Sequence, residues 1–371
     1  MNSYERVFSV INLEEPDRPS MGEAINPPVF DKILGKKTAY WDLIRSSGKI
    51  NDLINKRYLV SYGVCVTPKE YVHAQKKIGM DWILLVTGRP ESSTTPEVTI
   101  TEFKEESQTL WWVEGKVKTR EDLEMLKEKM TPYDPGLVFN EVNKRAVALA
   151  HKLNMAVAGF ILGPWQASQV ACGLDFTLTS MYKQPALMRE ILEFLSWYNI
   201  EIGKQFIDLG VDFIIIGDDL ADRKGPQISP KIFRESVFPL ARKMVYGIQQ
   251  MGVKVIWHTD GNVYPILKDL VDYVGIDGYH AIEPMAGMDI GVVKELYGDK
   301  ISLFGNVDCS ITLCIGKPED VKRETLEVIK KAAYGGGLNV NSSNSIHNAV
   351  KLENFMTMIK TVHKYGKYPY K

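Results

Sequence analysis

Beyond residue 150 the chain alternates between short apolar, β-branched runs and longer amphipathic stretches. The runs at 156–161, 213–216, 253–257, 273–280, 301–304 and 337–340 have the length and composition of buried strands. Between them, 166–182, 185–209, 229–251, 263–271, 290–297, 318–334 and 350–364 carry apolar residues at helical spacing. The earlier part is less regular. It predicts a helix over 3–13, a first strand over 20–28, helix and turn over 39–56, and a strand or connection at 58–63. A helix over 68–78 then feeds a strand at 81–86. Residues 98–103 and 109–115 alternate as two hairpin strands within an excursion at 92–118 that folds over one mouth of the main fold. Helices over 119–128 and 138–153 lead into the regular part.

Repeated strand–helix units imply parallel strands joined by right-handed crossovers. About eight of them predict an α/β fold, a distorted (β/α)8 TIM barrel with an N-terminal extension, rather than an open sheet. The glycine triplet Gly335-Gly336-Gly337 precedes its strand instead of following it, so it is misplaced for a dinucleotide loop. The whole of 1–371 reads as one barrel domain, since such barrels run well beyond the usual domain length.

Composition narrows the partners. A net charge of −1 over 371 residues gives no reason to expect nucleic acid or an anionic membrane. No apolar run approaches spanning length and the first residues begin an amphipathic helix, so a cytoplasmic protein is expected. Cys65, Cys172, Cys309 and Cys314 are scattered without a CxxC pair, as in reduced thiols.

In such a barrel, chemistry gathers where the strands end. The strand ends supply Glu23, Asn26, Gln166, Asp218, Asp219, His258, Asp260, Glu283, Asn306, Asp308 and Asn344. The stretch Trp257-His258-Thr259-Asp260-Gly261 stands out, because His258 and Asp260 reach one centre from a strand-to-loop transition. A neutral imidazole with carboxylate oxygens suits zinc or another divalent ion. The same histidine, tuned by a carboxylate, suits general acid–base work. Structural duties compete: Asp218 and Asp219 are placed to cap a turn or the next helix, and Asn306 and Asp308 to form an Asx turn. Trp165 reads as wall, His280 and His347 as polar rim, and Cys309 as inert. No Gly-x-Ser-x-Gly elbow is present, which argues against a serine hydrolase.

The order of motifs resembles the uroporphyrinogen decarboxylase superfamily over nearly the whole chain. The likeness rests on Glu-Pro-Asp-Arg-Pro at 15–19, Leu-Gly-Pro-Trp at 162–165, Ile-Gly-Asp-Asp-Leu at 216–220 and Trp-His-Thr-Asp-Gly at 257–261. It continues with Leu-Phe-Gly-Asn-Val-Asp at 303–308 and Gly-Gly-Gly-Leu at 335–338, leading to Leu-Glu-Asn-Phe at 352–355. The resemblance implies a distorted barrel with its site at the C-terminal mouth, and a homodimer. It offers two activities. The decarboxylases carry an arginine-rich stretch after the first strand, where this chain has Met21-Gly22-Glu23-Ala24-Ile25-Asn26. They carry an aspartate where it has Thr87-Gly88-Arg89, and their C-terminal histidine motif is replaced by Asn344-Ser345-Ile346-His347-Asn348. A substrate bearing many carboxylates needs cationic partners, and this mouth is acidic.

The other branch moves methyl groups to or from corrinoid proteins, with a His-x-Cys motif and a distant cysteine on zinc. Here Asp260 stands in the first cysteine place and the second falls near Asn344. Oxygen ligands make a harder site, suited to polarising an ether or alcohol oxygen. The expectation is therefore a methyltransferase of O-demethylase type. It would move a methyl group from a small donor, such as a methoxylated aromatic or similar methyl ether, to the cobalt of a separate corrinoid protein. Zn2+ would sit on His258, Asp260 and Glu283, with Asp218, Asp219 and His258 as catalytic groups. Glu23, Asn26, Trp165, Trp257, Asn306 and Asn344 would contact the donor. The alternatives are a cofactor-free decarboxylase and a non-catalytic small-molecule-binding protein on the same fold.

Overall fold

The computed structural model describes residues 1–37, 59–61, 64–86, 99–104, 109–130, 138 and 140–369. The predicted helix and turn at 39–56 and the stretch 87–90 lie outside them. Seven parallel strands form one sheet in chain order: β1 (Trp82–Leu85), β2 (Ala156–Leu162), β3 (Phe213–Gly217), β4 (Lys254–Thr259), β5 (Gly278–Ala281), β6 (Ser302–Val307) and β7 (Leu338–Ser342). The helices between them cover the outer face, as parallel strands require.

The predicted first strand, 20–28, occupies the eighth position without a regular ladder. Ser20 and Ile25 make isolated parallel bridges to Asn339 and Ile346 on the β7 side. On the β1 side, Asp81 N–H donates to the Met21 carbonyl at 2.7 Å. The segment stops short because Pro27 and Pro28 open a helix, Pro27–Leu34, where their missing N–H groups cost nothing. Gly22 is required here: a Cβ on it would lie 2.0 Å from the Trp82 indole. The fold is thus an α/β, TIM-barrel-like ring with one irregular stave.

Alternation along each strand sorts the side chains. Trp82, Leu84, Ala156, Ala158, Phe213, Ile215, Ile256 and Phe304 form the interior cluster. Large residues face small ones, so the rings of Trp82 and Phe213 meet edge-on at 5.5 Å while the two alanines leave them room. Val7 and Ile11 from the first helix, Ser3–Ile11, join this cluster. That helix is anchored by charge. Asp81, fully buried, accepts from Arg6 Nη1 at 2.7 Å and Arg18 Nη1 at 2.8 Å, and Arg6 Nε also meets Asp17 at 2.6 Å. The Glu-Pro-Asp-Arg-Pro motif is therefore a structural clasp.

The hairpin is present as Thr99–Lys104 paired antiparallel with Thr109–Gly115. Just past it, Val117 N–H donates at 3.0 Å to the Ala171 carbonyl of the helix Pro164–Cys172. The helix predicted over 166–182 is two helices, because Gly173 adopts φ 80° and ψ 150°. The one predicted over 229–251 contains a π-helical turn, Phe233–Val237. Pro239, just beyond it, has no N–H to continue the ladder. Among the described residues no helix is long and apolar enough to cross a membrane.

Candidate functional site

The site sits at the C-terminal end of β3, β4 and β5. His258 and His280 are register partners on neighbouring strands, so both rings point into the barrel. Their Nδ1 atoms lie 2.6 Å apart and their ring centroids 4.7 Å apart. Below and beside them is a cavity of about 60 Å3, with Trp82, Leu84, Phe160, Ile215 and Phe304 as its apolar wall and Asn341 and Asn344 as its amides.

Past the strand ends, Asp219, His258 and Asp260 converge, each offering a ligand atom within 4.8 Å of the others. His258 Nε2 is 3.7 Å from Asp219 Oδ1 and 3.8 Å from Asp260 Oδ1. These separations are too long for hydrogen bonds. They fit two ligand atoms that share an ion with bonds of about 2.1 Å. Asp260 is fixed from one side only: Asn344 Nδ2 donates to its Oδ2, while its Oδ1 is buried without a hydrogen-bond partner. An orphaned carboxylate oxygen facing an imidazole nitrogen and a second carboxylate is the donor set that a divalent cation satisfies. Burial pushes the Asp260 carboxyl up to about 7, with Asp219 and Glu283 adding repulsion against the opposing pull of His258 and Asn344. The turn depends on Gly261 at φ 81°, where a Cβ would meet the Ala221 backbone at 2.6 Å.

Glu283, expected as a metal ligand, is not in this group. Its Oε2 accepts from Gly261 N–H at 2.9 Å and its Oε1 lies 3.9 Å from Arg223 Nε, so it braces the loop. The second carboxylate of the group is Asp219. Asp218 is turned away from the mouth. It is fully buried and accepts from Gln166 N–H at 2.6 Å in the first turn of the helix Pro164–Cys172, which is the capping role. Burial holds its carboxyl well above the usual aspartate range.

Two expected substrate contacts lie in the outer core instead. Trp257 alternates with the inward Ile256 and His258, so it faces the helices and is fully buried. Trp165 packs edge-on to Phe233 and donates its Nε1–H to Gln227 at 2.8 Å. Glu23 binds the end of β7 through Ser342 N–H and the Ser342 hydroxyl. Asn26 is a buried residue before the helix Pro27–Leu34, its side chain making no cap. Asn306 Nδ2 donates to the Ile282 carbonyl at 2.8 Å. Of the expected donor contacts, Asn344 lines the cavity. Asp308 accepts from the N–H groups of Ser310, Ile311 and Thr312, the turn that competed for it. Cys309 is buried, and burial pushes its thiol up to about 11.

Sequence reasoning placed His280 only at the polar rim and did not name Asn341. Asn341 carried a signal: in 338–341, Leu338 and Val340 alternate with Asn339 and Asn341, so both amides share the inward face. The pairing of His280 with His258 carried none, because it depends on the β4–β5 register.

Comparison with known proteins agrees with this fold. The profile of the family described as Uroporphyrinogen decarboxylase (URO-D) matches residues 101–365. A uroporphyrinogen decarboxylase of Coxiella burnetii (strain Dugway 5J108-111) is 21% identical over 269 residues, 68% of this chain and 70% of that protein. The methylcobamide:CoM methyltransferase MtbA of Methanosarcina acetivorans is 24% identical over 214 residues, 57% of this chain and 60% of that protein. A solved methyltransferase from Methanosarcina mazei has the same fold, with a TM-score of 0.73 at 18% identity, covering 98% of this chain and 99% of that one. The relatives thus divide between decarboxylases and corrinoid methyltransferases, and on the profile match over most of its length this chain belongs to the uroporphyrinogen decarboxylase family.

Proposed function

We propose that this chain is a methyltransferase that moves a methyl group from a small donor to the cobalt of a separate corrinoid protein, with zinc at the mouth of the barrel. The observation that carries the reading is the convergence of Asp219, His258 and Asp260 around the orphaned Oδ1 of Asp260. The similarity to MtbA supports the methyl-transfer branch.

His258 Nε2, Asp219 Oδ1 and Asp260 Oδ1 would hold the ion, and Asn344 keeps Asp260 from swinging away by holding its other oxygen. When bound, zinc supplies Lewis acidity that stabilises negative charge on the donor's leaving atom. The cation also favours the charged Asp260 carboxylate, which burial alone makes costly. The apolar wall of Phe160, Ile215 and Phe304 receives the donor's remaining substituent and excludes water from it. A cavity of about 60 Å3 is smaller than the ~150 Å3 space that holds benzene in an apolar core. A methoxylated ring therefore rests toward the open mouth, whereas a simple methyl ether or alcohol fits beside the histidines.

The decarboxylase reading has the Coxiella relative behind it. Among the described residues, the charges around His258 and Asp260 weigh against it. Asp219, Asp260 and Glu283 gather there, and Arg223 points to Glu283, where a polycarboxylate would need cations.

The test is zinc content by elemental mass spectrometry of the wild type, His258→Ala and Asp260→Ala, with methyl transfer to free cob(I)alamin from a graded set of methyl ethers followed by absorbance. Near-stoichiometric zinc, lost in both variants together with transfer, is expected. A wild type that takes up no zinc on reconstitution, or an His258→Ala chain that transfers methyl at the wild-type rate, would overturn it.

A further inference from the structure

His280 touches none of the three ligand atoms, yet its ring contacts the only imidazole among them. It is buried, and its two nitrogens have different neighbours. Nε2 faces the Ser342 carbonyl at 3.4 Å and Nδ1 faces His258 Nδ1 at 2.6 Å. A carbonyl oxygen only accepts, so the hydrogen of a neutral His280 belongs on Nε2. That leaves Nδ1 bare. At 2.6 Å two nitrogens share one proton, so His258 must supply it from its own Nδ1. The remaining nitrogen of His258, Nε2, then carries a lone pair and no hydrogen. It is the atom that faces Asp219 Oδ1 at 3.7 Å and Asp260 Oδ1 at 3.8 Å.

We propose that His280 is a positioning residue: by accepting the Nδ1–H of His258 it holds that ring in the tautomer and orientation whose bare Nε2 faces Asp219 and Asp260. The metal-binding consequence rests on the Asp219–His258–Asp260 reading above; the tautomer does not. The chain Ser342 carbonyl, His280, His258 runs across β7, β5 and β4, so the proton arrangement is fixed by the barrel itself. An imidazole here replaces the carboxylate or carbonyl that more often orients a metal-binding histidine. It orients without adding a negative charge beside Asp219 and Asp260. The buried position of His280 disfavours a charged ring, which agrees with a neutral acceptor.

The experiment has two arms on the full chain. In metal-free wild type labelled with 15N-histidine, two-bond 1H–15N correlations read which nitrogen of each ring carries hydrogen, with His258→Asn assigning the signals. A protonated Nδ1 and a bare Nε2 on His258, with the reverse on His280, are expected. A protonated Nε2 on His258 would overturn the proposal whether or not the protein binds metal. In the second arm, Zn2+ affinity is measured by competition with a chromophoric chelator. His280→Phe keeps the ring and removes the acceptor, and its affinity should fall 10- to 100-fold. His280→Asn keeps a polar atom near the Nδ1 position and should recover most of that loss. Equal losses in both variants, or none in His280→Phe, would reduce His280 to a packing residue. A wild type that binds no zinc at all would instead remove the proposed function, leaving the tautomer to the first arm.

Discussion

Glu23 gives a sharp test of how burial acts in this barrel. Its side chain is almost wholly shielded, it has no cationic partner among the described residues, and its oxygens meet Ser342 N–H and the Ser342 hydroxyl. Burial pushes its carboxyl up to about 8 against the weaker opposing pull of those two hydrogen bonds. In the unfolded chain a glutamate titrates near about 4.3. Between these values the folded chain binds a proton that the unfolded chain has released, so stability falls as pH rises from about 4.3 and levels off above about 8. Each pH step costs about 1.4 kcal/mol, which puts the penalty at pH 7 on the order of 4 kcal/mol. Glu23→Gln mimics the protonated acid: its carbonyl accepts from Ser342 N–H and its amide donates to the Ser342 oxygen. The variant should match wild type near pH 4.5 and exceed it in stability as pH rises to 7. With about 2.1 cal/mol/K of unfolding entropy per residue, roughly 0.8 kcal/mol/K for the chain, the gain is about 5 °C in Tm. Scanning calorimetry of both proteins at several pH values between 4.5 and 8 measures it. A Tm difference that does not change with pH, or a variant less stable than wild type at pH 7, would refute the claim that Glu23 is held protonated by burial.

Two further outcomes follow from the same physics. Asp81→Asn strands Arg6 and Arg18 without their shared carboxylate; breaking a buried pair of this kind costs about 3–5 kcal/mol, so thermal unfolding should shift down by about 4–6 °C, and an unchanged Tm would show that the clasp contributes nothing. Trp165→Phe loses the hydrogen bond to Gln227 but keeps the ring against Phe233; zinc affinity and turnover should stay within about twofold of wild type, and a tenfold fall in kcat/KM would return Trp165 to the substrate contacts.

The strands and helices after residue 150 were legible because each is a local pattern: β-branched runs for strands, apolar residues at helical spacing for helices. Parallel pairing followed from their alternation, and the chemical character of the mouth followed from which residue types end the strands. His258 and Asp260 were within reach of that reasoning, since the i, i+2 spacing at one strand end brings both to one place. The sequence could not determine quantities that depend on neighbours far along the chain. Strand register pairs His258 with His280 and sends Trp257 outward. Loop closure brings Asp219 to Asp260 and ties Glu283 to Gly261. Asp218 and Asp219 are adjacent acids with the same local signal, yet one caps a helix and the other faces the mouth. Only the packing of the helix Pro164–Cys172 against β3 separates them. The composition of the site is thus written locally, and the duty of each side chain is set by the tertiary contacts that decide which face it turns to the barrel axis.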